Sequence, residues 1–488
     1  MGYFVPVYNH RMLFNSFDFA VFLPIVYLLY WFIFNKNVTL RNIFLLAASY
    51  IFYGFWDWRF LPLIAISSVT DFFLGRQLGK TDDRRKRKLF LIISLAVNLG
   101  ILGFFKYYNF FVESFISAFT LFGKPFHYSP LNVILPVGIS FYTFQSLSYI
   151  IDIYYRRFEP TGKIISFCSF VAFFPQLVAG PIERARHLLP QFGDMKKFNY
   201  EDARSGLLMI TFGLFKKMVV ADRLAVFVDS AYGDIAAASG PALLFAVLFF
   251  AFQLYFDFSA YSDIAIGTAR ILGFRLSANF RRPYLSASFS EFWTRWHITL
   301  SSWFRDYVYI PLGGNRRGKT RTIINVLIVF TLSGLWHGAS WNFVTWGVIN
   351  ALLMIVLDRL FGLEKSGGFG RIISPVLVSA CWALSLVFFR IPNFADAFSV
   401  FQNMGFGDMA TVYRFGLNVA EFRLALYLLA GMMIYEIATE KYGEHIRKWF
   451  YAGNELVRWG VYLVLIFAII YLGSYGTSND NSFIYFQF

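Results

Sequence analysis

Residues 241–271 read PALLFAVLFFAFQLYFDFSAYSDIAIGTARI. This run is longer than the roughly 20 apolar residues that span about 30 Å of hydrocarbon as a helix. Similar runs recur along all 488 residues, of which 57% are hydrophobic and only 15% are charged. A soluble chain of this length would need far more charge to cover its surface. The sequence therefore predicts an all-α, multi-pass membrane protein.

The apolar runs predict about 11–12 transmembrane helices. The candidate spans lie near 17–34, 42–56, 60–75, 89–110, 131–153, 204–230, 241–271, 322–338, 341–360, 371–391, 424–440 and 455–474. Segment 164–182 contains Pro175, Gly180 and Pro181, so a re-entrant hairpin is predicted there. No internal repeat or long polar linker divides the chain, and a single helical membrane domain over 1–488 is predicted.

Basic residues set the predicted orientation. The formal net charge of +15 could suggest nucleic-acid binding, but the excess lies in short loops between spans, as the positive-inside rule describes. With twelve spans and a re-entrant 164–182, all the basic clusters fall on one side, which is predicted to be cytoplasmic, and both termini lie outside. These clusters are Arg84–Lys88, Arg156, Arg157, Lys163, Lys196, Lys197, Arg275, Arg281, Arg282, Arg316, Arg317, Lys319 and Arg321.

Neither a metal site nor a nucleotide site is indicated. Cys168 and Cys381 both lie in apolar stretches, which argues against a disulfide framework or a cysteine-based zinc site. Residues 313–320 (GGNRRGKT) satisfy the phosphate-loop pattern literally, but no strand is predicted before them. A basic cytoplasmic turn explains them better, and a reaction without a tightly bound cofactor is expected.

His337 is the strongest candidate for chemistry, because ionisable side chains inside a membrane are rare and often functional. It lies between two apolar spans, in 331-TLSGLWHGASW-341. Gly334 and Gly338 suggest that a substrate approaches the backbone there. Trp336 and Trp341 offer flat walls, and Ser333 lies one helical turn before the histidine; these three residues are predicted to bind substrate. A histidine that only links helices by hydrogen bonds remains the alternative.

His297 lies within 288–311, whose aromatic residues recur at spacings of three and four. This pattern predicts one amphipathic helix that lies at, or dips into, the cytoplasmic side of the membrane. Ser288 and Glu291 form a plausible capping box at its start. Trp296, on the aromatic stripe, is predicted to bind substrate. An interfacial histidine without a catalytic role is the alternative reading of His297.

Asp257 and Asp263 lie in the span 241–271, where two carboxylates imply a polar interior or a cavity. Because they are six residues apart, they do not share a helical face, which argues against a cooperating acid–base pair. Asp263 could pair with Arg270 only across about two turns. A structural polar network and a catalytic role both remain open for these carboxylates.

Several long motifs, in order, resemble the membrane-bound O-acyltransferase family and its bacterial branch. They are FFPQLVAGPIERA (173–185), QLYFDFSAYSDIAIG (253–267), FSEFWTRWHITLSSWFRDYVYIP (289–311) with the following LGGN, and SGLWHGASWNFVTWG (333–347). The branch includes the membrane subunit of alginate O-acetylation and the D-alanyl transferase of teichoic acids. The match is best over 131–360, the expected catalytic core. Family members begin near MLFNS, so the residues up to Arg11 resemble an extension and Met12 a possible start. Residues 392–423 resemble nothing assignable.

The resemblance implies a ring of helices around a thin core, with a funnel and a tunnel, in a bacterial cytoplasmic membrane. It implies His337 as the catalytic histidine and His297 as a second catalytic histidine that orients the donor. The expected donor is a thioester, acetyl-CoA or an acyl carrier protein, at the cytoplasmic face. The expected acceptor is an extracytoplasmic polysaccharide, possibly reached through a secreted acetyltransferase partner. D-alanyl transfer to teichoic acid, and a transporter or channel with a His/Asp proton relay, are the alternatives.

The last residues, 483-FIYFQF-488, form part of an external aromatic tail over 475–488. A similar ending occurs in bacterial family members and in a small partner peptide of the teichoic-acid system. The resemblance makes Tyr485 a candidate carrier of the acyl group. An aromatic anchor at the outer membrane interface is the alternative.

Overall fold

The computed structural model describes residues 12–120, 129–360, 370–475 and 483–484. Every regular element within these ranges is a helix. In the same ranges, eight helices are long and apolar enough to cross a membrane: Phe17–Phe34, Val38–Lys80, Arg84–Thr120, Gly240–Ile271, Trp341–Asp358, Ile373–Arg390, Val419–Ala452 and Glu455–Leu472. The predicted fold class, an all-α multi-pass membrane protein, is confirmed.

The other helices differ in length from the predicted spans. They include Ile139–Tyr154, Ile164–Ala172, Tyr200–Phe215, Lys216–Ala221, Asp222–Gly233, Phe289–Arg295, Ile298–Phe304, Lys319–His337 and Phe394–Asn403. The three predicted spans 131–153, 204–230 and 322–338 coincide with members of this group and not with the eight helices above. The previously unassigned region 392–423 contains Phe394–Asn403 and a short 3₁₀ helix, Met409–Arg414.

The helix predicted over 131–153 begins later than expected, at Ile139. Pro136 has no backbone N–H to donate, and Gly138 has a φ of 73°, in the left-handed region that favours glycine. A β-carbon on Gly138 would lie 2.6 Å from the Leu177 carbonyl oxygen, so the two segments approach each other too closely for a side chain. The prediction of a full span from 131 is therefore wrong.

The segment predicted to be re-entrant forms a helix only over Ile164–Ala172. Residues 173–182 are buried irregular chain, and side chains satisfy part of their backbone. The Phe174 amide donates to Ser49 Oγ at 3.1 Å. Such internal partners are what non-helical backbone requires at membrane depth.

The helices form two compact units. Among the described residues, one comprises those within Met1–Leu207 and Ala265–Leu276, and the other those within Leu208–Ile264 and Ser277–Phe488. In the first unit, the fully buried Arg41 donates to the carbonyl of Phe192 at 3.0 Å. In the second unit, buried aromatic side chains form an extended core that includes Trp296, Trp346 and Trp382. Both candidate histidines belong to this second unit.

Candidate active site

The segment around His297 is broken, and not one continuous amphipathic helix as predicted. Helices Phe289–Arg295 and Ile298–Phe304 are separated by Trp296 and His297, and the φ of 41° at His297 lies in the left-handed region. Ser288 caps the first helix by accepting from the Glu291 amide at 3.1 Å. The Glu291 carboxylate accepts from the Ala287 amide at 2.8 Å and not from Ser288, so only half of the predicted capping box forms.

Asn279 stabilises this break. Its carbonyl oxygen accepts from the Ile298 amide at 2.9 Å, and its side-chain Oδ1 accepts from Thr299 Oγ1 at 2.9 Å. The same Oδ1 lies 3.1 Å from His297 Nδ1. Because Oδ1 can only accept, His297 carries its proton on Nδ1 and presents Nε2 as the lone-pair nitrogen. Burial lowers the pKa of His297 to about 3, so the ring is neutral at physiological pH.

The aromatic stripe of 288–311 faces the protein interior. Phe289, Phe292, Trp296, Leu300, Trp303 and Phe304 are all buried. The Phe292 and Trp382 ring centroids are 4.7 Å apart, and those of Trp296 and Phe280 are 5.1 Å apart. The stripe therefore packs on protein and not on lipid, which the periodic pattern alone does not distinguish. The predicted position of 288–311 at the cytoplasmic side of the membrane stays a prediction.

His337 is the last residue of the helix Lys319–His337, and it is buried with about 8% of its surface exposed. Its ring centroid lies 5.0 Å from that of Trp336 and 5.1 Å from that of Trp346. The His297 ring centroid is 6.5 Å away. The fold thus brings together two histidines that are forty residues apart in sequence, in one aromatic environment.

A small cavity opens beside His337. Its described lining residues are Leu254, Phe258, Trp296, His337, Trp346, Trp382 and Phe389. Among these, His337 alone is ionisable at the pH of a cell. A neutral imidazole is the form of a histidine side chain that accepts a proton, and histidine is the usual general base near neutral pH. The cavity can therefore support proton abstraction from a bound hydroxyl.

The residues predicted to bind substrate differ in whether they lie at the cavity beside His337. Trp296 lines the cavity. Trp336 contacts both histidines, with centroid distances of 5.9 Å to His297 and 5.0 Å to His337. Ser333 is buried but is not among the described lining residues, and Trp341 is 56% exposed. Tyr485 lies outside the described residues.

Gly334 and Gly338 allow two helices to pack closely. The prediction that they leave room for a substrate at the backbone is wrong. A β-carbon on Gly334 would lie 2.2 Å from the Phe343 carbonyl oxygen, and one on Gly338 would lie 2.1 Å from the Phe343 ring. The space beside both glycines is therefore occupied by the next helix, Trp341–Leu353.

Two residues near the histidines were missed by the sequence reasoning. Asn279 orients His297, but it is 18 residues upstream and no local pattern connects the two. Trp346 lines the cavity against His337, and its buried indole Nε1 has no hydrogen-bond partner among the described residues. The only sequence signal for Trp346 was its position in the conspicuous aromatic motif 333–347.

The carboxylates of the helix Gly240–Ile271 pair with lysines. Asp257 Oδ1 lies 2.6 Å from Lys217 Nζ, and Asp263 Oδ2 lies 2.8 Å from Lys216 Nζ. Arg270, considered as a partner of Asp263, instead donates to Ser205 Oγ at 3.3 Å. The polar network inferred from the sequence therefore exists, and both lysines come from the π-helical segment Lys216–Ala221.

The phosphate-loop pattern at 313–320 has none of the required context. A π-helical turn, Arg305–Tyr309, precedes it, and its lysine and threonine begin the helix Lys319–His337. Gly313 and Gly314 have positive φ values and form a turn, whose Gly314 carbonyl accepts from Asn325 at 2.9 Å. Among the described residues, no group of three or more His, Cys, Asp or Glu side chains is placed to bind a metal ion.

Comparison with known proteins identifies the family of the chain. Residues 161–363, which include both histidines, match the profile of MBOAT, the membrane-bound O-acyltransferase family. The chain is 39% identical over 428 residues to a probable alginate O-acetylase of Pseudomonas putida, covering 86% of this chain and 87% of the relative. The chain belongs to the membrane-bound O-acyltransferase family. It is therefore a multi-pass membrane O-acyltransferase.

Two further relatives in this family differ in their substrates. A peptidoglycan O-acetyltransferase of Helicobacter pylori is 35% identical over 429 residues, covering 80% of each chain. A teichoic acid D-alanyltransferase of Bacillus subtilis is 27% identical over 242 residues, covering 47% of this chain and 60% of the relative. The similarity thus extends over most of the chain for these O-acetyl-transferring relatives and over about half for the D-alanyl-transferring relative.

Proposed function

We propose that the enzyme transfers an acetyl group from a cytoplasmic thioester donor to hydroxyl groups of an extracytoplasmic polysaccharide, in a bacterial cytoplasmic membrane. The single observation that carries the proposal is the pairing of His337 with His297 beside an aromatic cavity. The two O-acetyl-transferring relatives, which are named for alginate and peptidoglycan, support acetyl as the group and a polysaccharide as the acceptor. D-alanyl transfer is the second candidate, favoured by the shorter similarity to teichoic acid D-alanyltransferase.

In the proposed reaction, His337 takes the proton of the accepting hydroxyl as the oxygen attacks the thioester carbonyl. The carbon–sulfur bond breaks, and the thiol leaves with a proton returned from the imidazolium. General base catalysis of this kind contributes typically about 10²–10⁴-fold to a rate. His297 is the positioning partner, because its contact with Asn279 fixes the ring and its neutral form presents Nε2 as an acceptor.

The donor is acetyl-CoA or an acyl carrier protein, and its anionic groups suit the basic loops. Arg84, Arg85, Lys86 and Lys88 are exposed at the start of the helix Arg84–Leu102. Arg87 is instead buried and donates to the carbonyls of Ile153 and Tyr154 at 2.9 and 2.8 Å. An extracytoplasmic acetyltransferase is the proposed partner that completes delivery to the polysaccharide.

The proposal is tested with purified enzyme and an acetyl-labelled thioester. We expect release of one free thiol for each acetyl ester formed, whether the acceptor is an oligosaccharide or an intermediate site on the enzyme. A transporter with a His/Asp proton relay would instead move a substrate across proteoliposomes without cleaving the thioester. Thioester-independent flux without thiol release would contradict the proposed reaction.

We expect the loops at 80–88 and 312–321 to be cytoplasmic and the chain after 475 to be external. In a background with Cys168→Ser and Cys381→Ser, Lys86→Cys should react with a membrane-impermeant maleimide only after permeabilisation. Tyr475→Cys, which replaces a side chain 55% exposed, should react in intact cells and serves as the matched control. Labelling of Lys86→Cys from outside would reverse the topology and the side on which the donor binds.

Tyr485 is the proposed acyl carrier between the histidine site and the external acceptor. A phenol, with a pKa of about 10, is a better leaving group than a sugar hydroxyl. Tyr485→Phe keeps the aromatic ring and removes only the hydroxyl, so transfer to polysaccharide should fall by at least about tenfold, because the oxygen that would carry the acyl group is gone. If Tyr485→Phe acylates polysaccharide at the normal rate, the tail is an aromatic anchor and not a carrier.

A further inference from the structure

The helix Gly240–Ile271 presents two adjacent faces to two different features. Leu254 and Phe258, one turn apart, line the cavity beside His337. Asp257 and Tyr261, also one turn apart, contact the C-terminal residues Phe483 and Ile484. Asp257 and Phe258 are adjacent in sequence, and consecutive residues lie about 100° apart around a helix. The contacts with Phe483 and Ile484 and the lining of the cavity therefore lie on neighbouring faces of this helix.

Phe483 and Ile484 are seated inside the second unit. They are only 1% and 3% exposed. The Ile484 amide donates to Asp257 Oδ2 at 2.8 Å. Lys217 Nζ lies 4.6 Å from the Phe483 ring centroid, and the Tyr261 ring meets that ring edge-on at 5.0 Å. Each contact uses a chemical feature of the peptide, either its backbone N–H or its aromatic ring.

Lys217, Asp257 and Asp222 form a cluster of buried charges, and burying charges costs free energy. Lys217 Nζ bridges Asp257 at 2.6 Å and Asp222 at 2.8 Å, and its side chain is 2% exposed. A buried ion cluster is weak evidence for stability, because desolvation offsets much of the attraction. In this cluster, the second oxygen of Asp257 accepts from the peptide, so the C-terminal segment completes the hydrogen bonding of the carboxylate.

The neighbouring ion pair provides an internal comparison. Lys216 bonds Asp263 and also donates to Ser259 Oγ at 2.8 Å. These groups lie on the same two elements as Lys217 and Asp257, but their hydrogen bonds go to each other and not to Phe483 or Ile484. Among the described residues, the Lys216–Asp263 pair thus bonds only groups on these helices, while the Lys217–Asp257 pair also holds Ile484.

The chain that leads to the tail is fixed to the same lysine-bearing region. The Ser474 amide donates to the Met218 carbonyl at 2.9 Å, and Arg223 donates to the Leu472 carbonyl at 2.7 Å. The end of the helix Glu455–Leu472 is therefore anchored next to the segment Lys216–Ala221. Only a short length of chain separates this anchor from Phe483.

We propose that Lys217, Asp257 and Tyr261 form a docking site for the enzyme's own C-terminal segment, and that docking of Phe483 and Ile484 is required for acyl transfer to the acceptor. The second part rests on the proposed acyl-transfer function. Docking places Phe483 and Ile484 on the helix that lines the histidine cavity, with Ile484 bonded to Asp257, the residue before Phe258. The three residues act as positioning residues, since they touch the tail and not the reacting atoms.

Docking itself is tested without any acyl transfer. In full-length enzyme carrying Cys168→Ser and Cys381→Ser, Ile484→Cys should react with maleimide at least tenfold more slowly than Tyr475→Cys. Adding Asp257→Asn should accelerate labelling of the cysteine at 484 at least tenfold, because the amide has lost the charge that attracts Lys217 and the Ile484 N–H. Adding Asp263→Asn, the matched control, should leave it within twofold. Equal acceleration by both variants, or none with Asp257→Asn, would overturn the docking site.

The role in transfer is tested with Asp257→Asn and with Ile484→Pro, which removes the donated N–H without altering the helices. Both should lower acyl transfer to the acceptor at least tenfold, while Asp263→Asn stays within twofold of wild type. Unchanged melting temperature for Ile484→Pro excludes a folding defect. Wild-type transfer by Ile484→Pro would overturn the requirement for docking. Failure of the proposed function would instead appear as no thioester-dependent transfer by wild-type enzyme, with the labelling results unaffected.

Discussion

His337→Ala is expected to lower acyl transfer by at least about 10²-fold, the smallest contribution typical of general base catalysis. The variant should still insert and purify normally, because the side chain borders a cavity and is not part of a close-packed contact on that side. His337 is also the one ionisable residue among the described residues that line this cavity, so no neighbour in the lining can take its place as a base. The measurement is the initial rate of thiol release with an acetyl thioester and a hydroxyl acceptor.

His445→Ala is the matched control for this experiment. His445 is an exposed residue of the helix Val419–Ala452, so its removal should leave the rate within twofold of wild type. Melting temperatures of the two variants in detergent should be similar to that of wild type. A His337→Ala enzyme that retains more than a tenth of wild-type activity would show that His337 is not the general base.

Apolar length was sufficient to predict most of the membrane helices. The spans near 17–34, 241–271 and 455–474 coincide with Phe17–Phe34, Gly240–Ile271 and Glu455–Leu472. Length and hydrophobicity are local properties, so they remain readable without knowledge of the fold. The same argument made His337 a candidate for catalysis, since a histidine between two apolar spans is conspicuous in sequence alone.

The break at His297 could not be predicted from periodicity. The aromatic spacing of three and four continues through Phe292, Trp296 and Leu300 as if the helix were continuous. The left-handed conformation of His297 costs roughly 1–2 kcal/mol. Nothing in the local sequence offsets this cost, so the pattern predicts an unbroken helix. What stabilises the left-handed conformation is Asn279, a tertiary partner that becomes visible only when the chain is folded.

Ion-pair partners were also beyond the sequence. Asp257 and Asp263 were correctly read as groups that need a polar environment, yet Lys216 and Lys217 were not assigned to them. The lysines lie forty and more residues upstream on another element, and either could have been imagined to face solvent. Residue type indicates that a buried charge needs a partner, whereas only the packing of helices decides which partner it has.

The close packing of the helices Lys319–His337 and Trp341–Leu353 supports a second large effect. A β-carbon on Gly347 would lie 2.3 Å from the Phe330 carbonyl oxygen and 3.3 Å from the Gly334 Cα. The obstructing atoms belong to backbone and cannot rotate away. The Gly334-x-x-x-Gly338 spacing is typical of helices that approach closely in membranes, and it was the available sequence signal for this contact.

Gly347→Ala is therefore expected to separate these two helices and to move His337 from its position beside Trp346. Overpacking of this kind typically costs about 1–3 kcal/mol of stability. A displacement of about 1 Å in a catalytic group can lower a rate by about 10²-fold. We expect a clear decrease in melting temperature together with a loss of acyl transfer of about that size, measured on the same purified sample.

Gly431→Ala provides the control, because a β-carbon at that position in the helix Val419–Ala452 meets no atom within 4 Å. Alanine is favoured over glycine within a helix by roughly 0.8–1 kcal/mol, so this variant should melt at or slightly above the wild-type temperature and remain fully active. The comparison separates the effect of a β-carbon from the effect of its location. If Gly347→Ala also melts and transfers acyl groups like wild type, the helices tolerate separation, and His337 does not depend on this contact for its position.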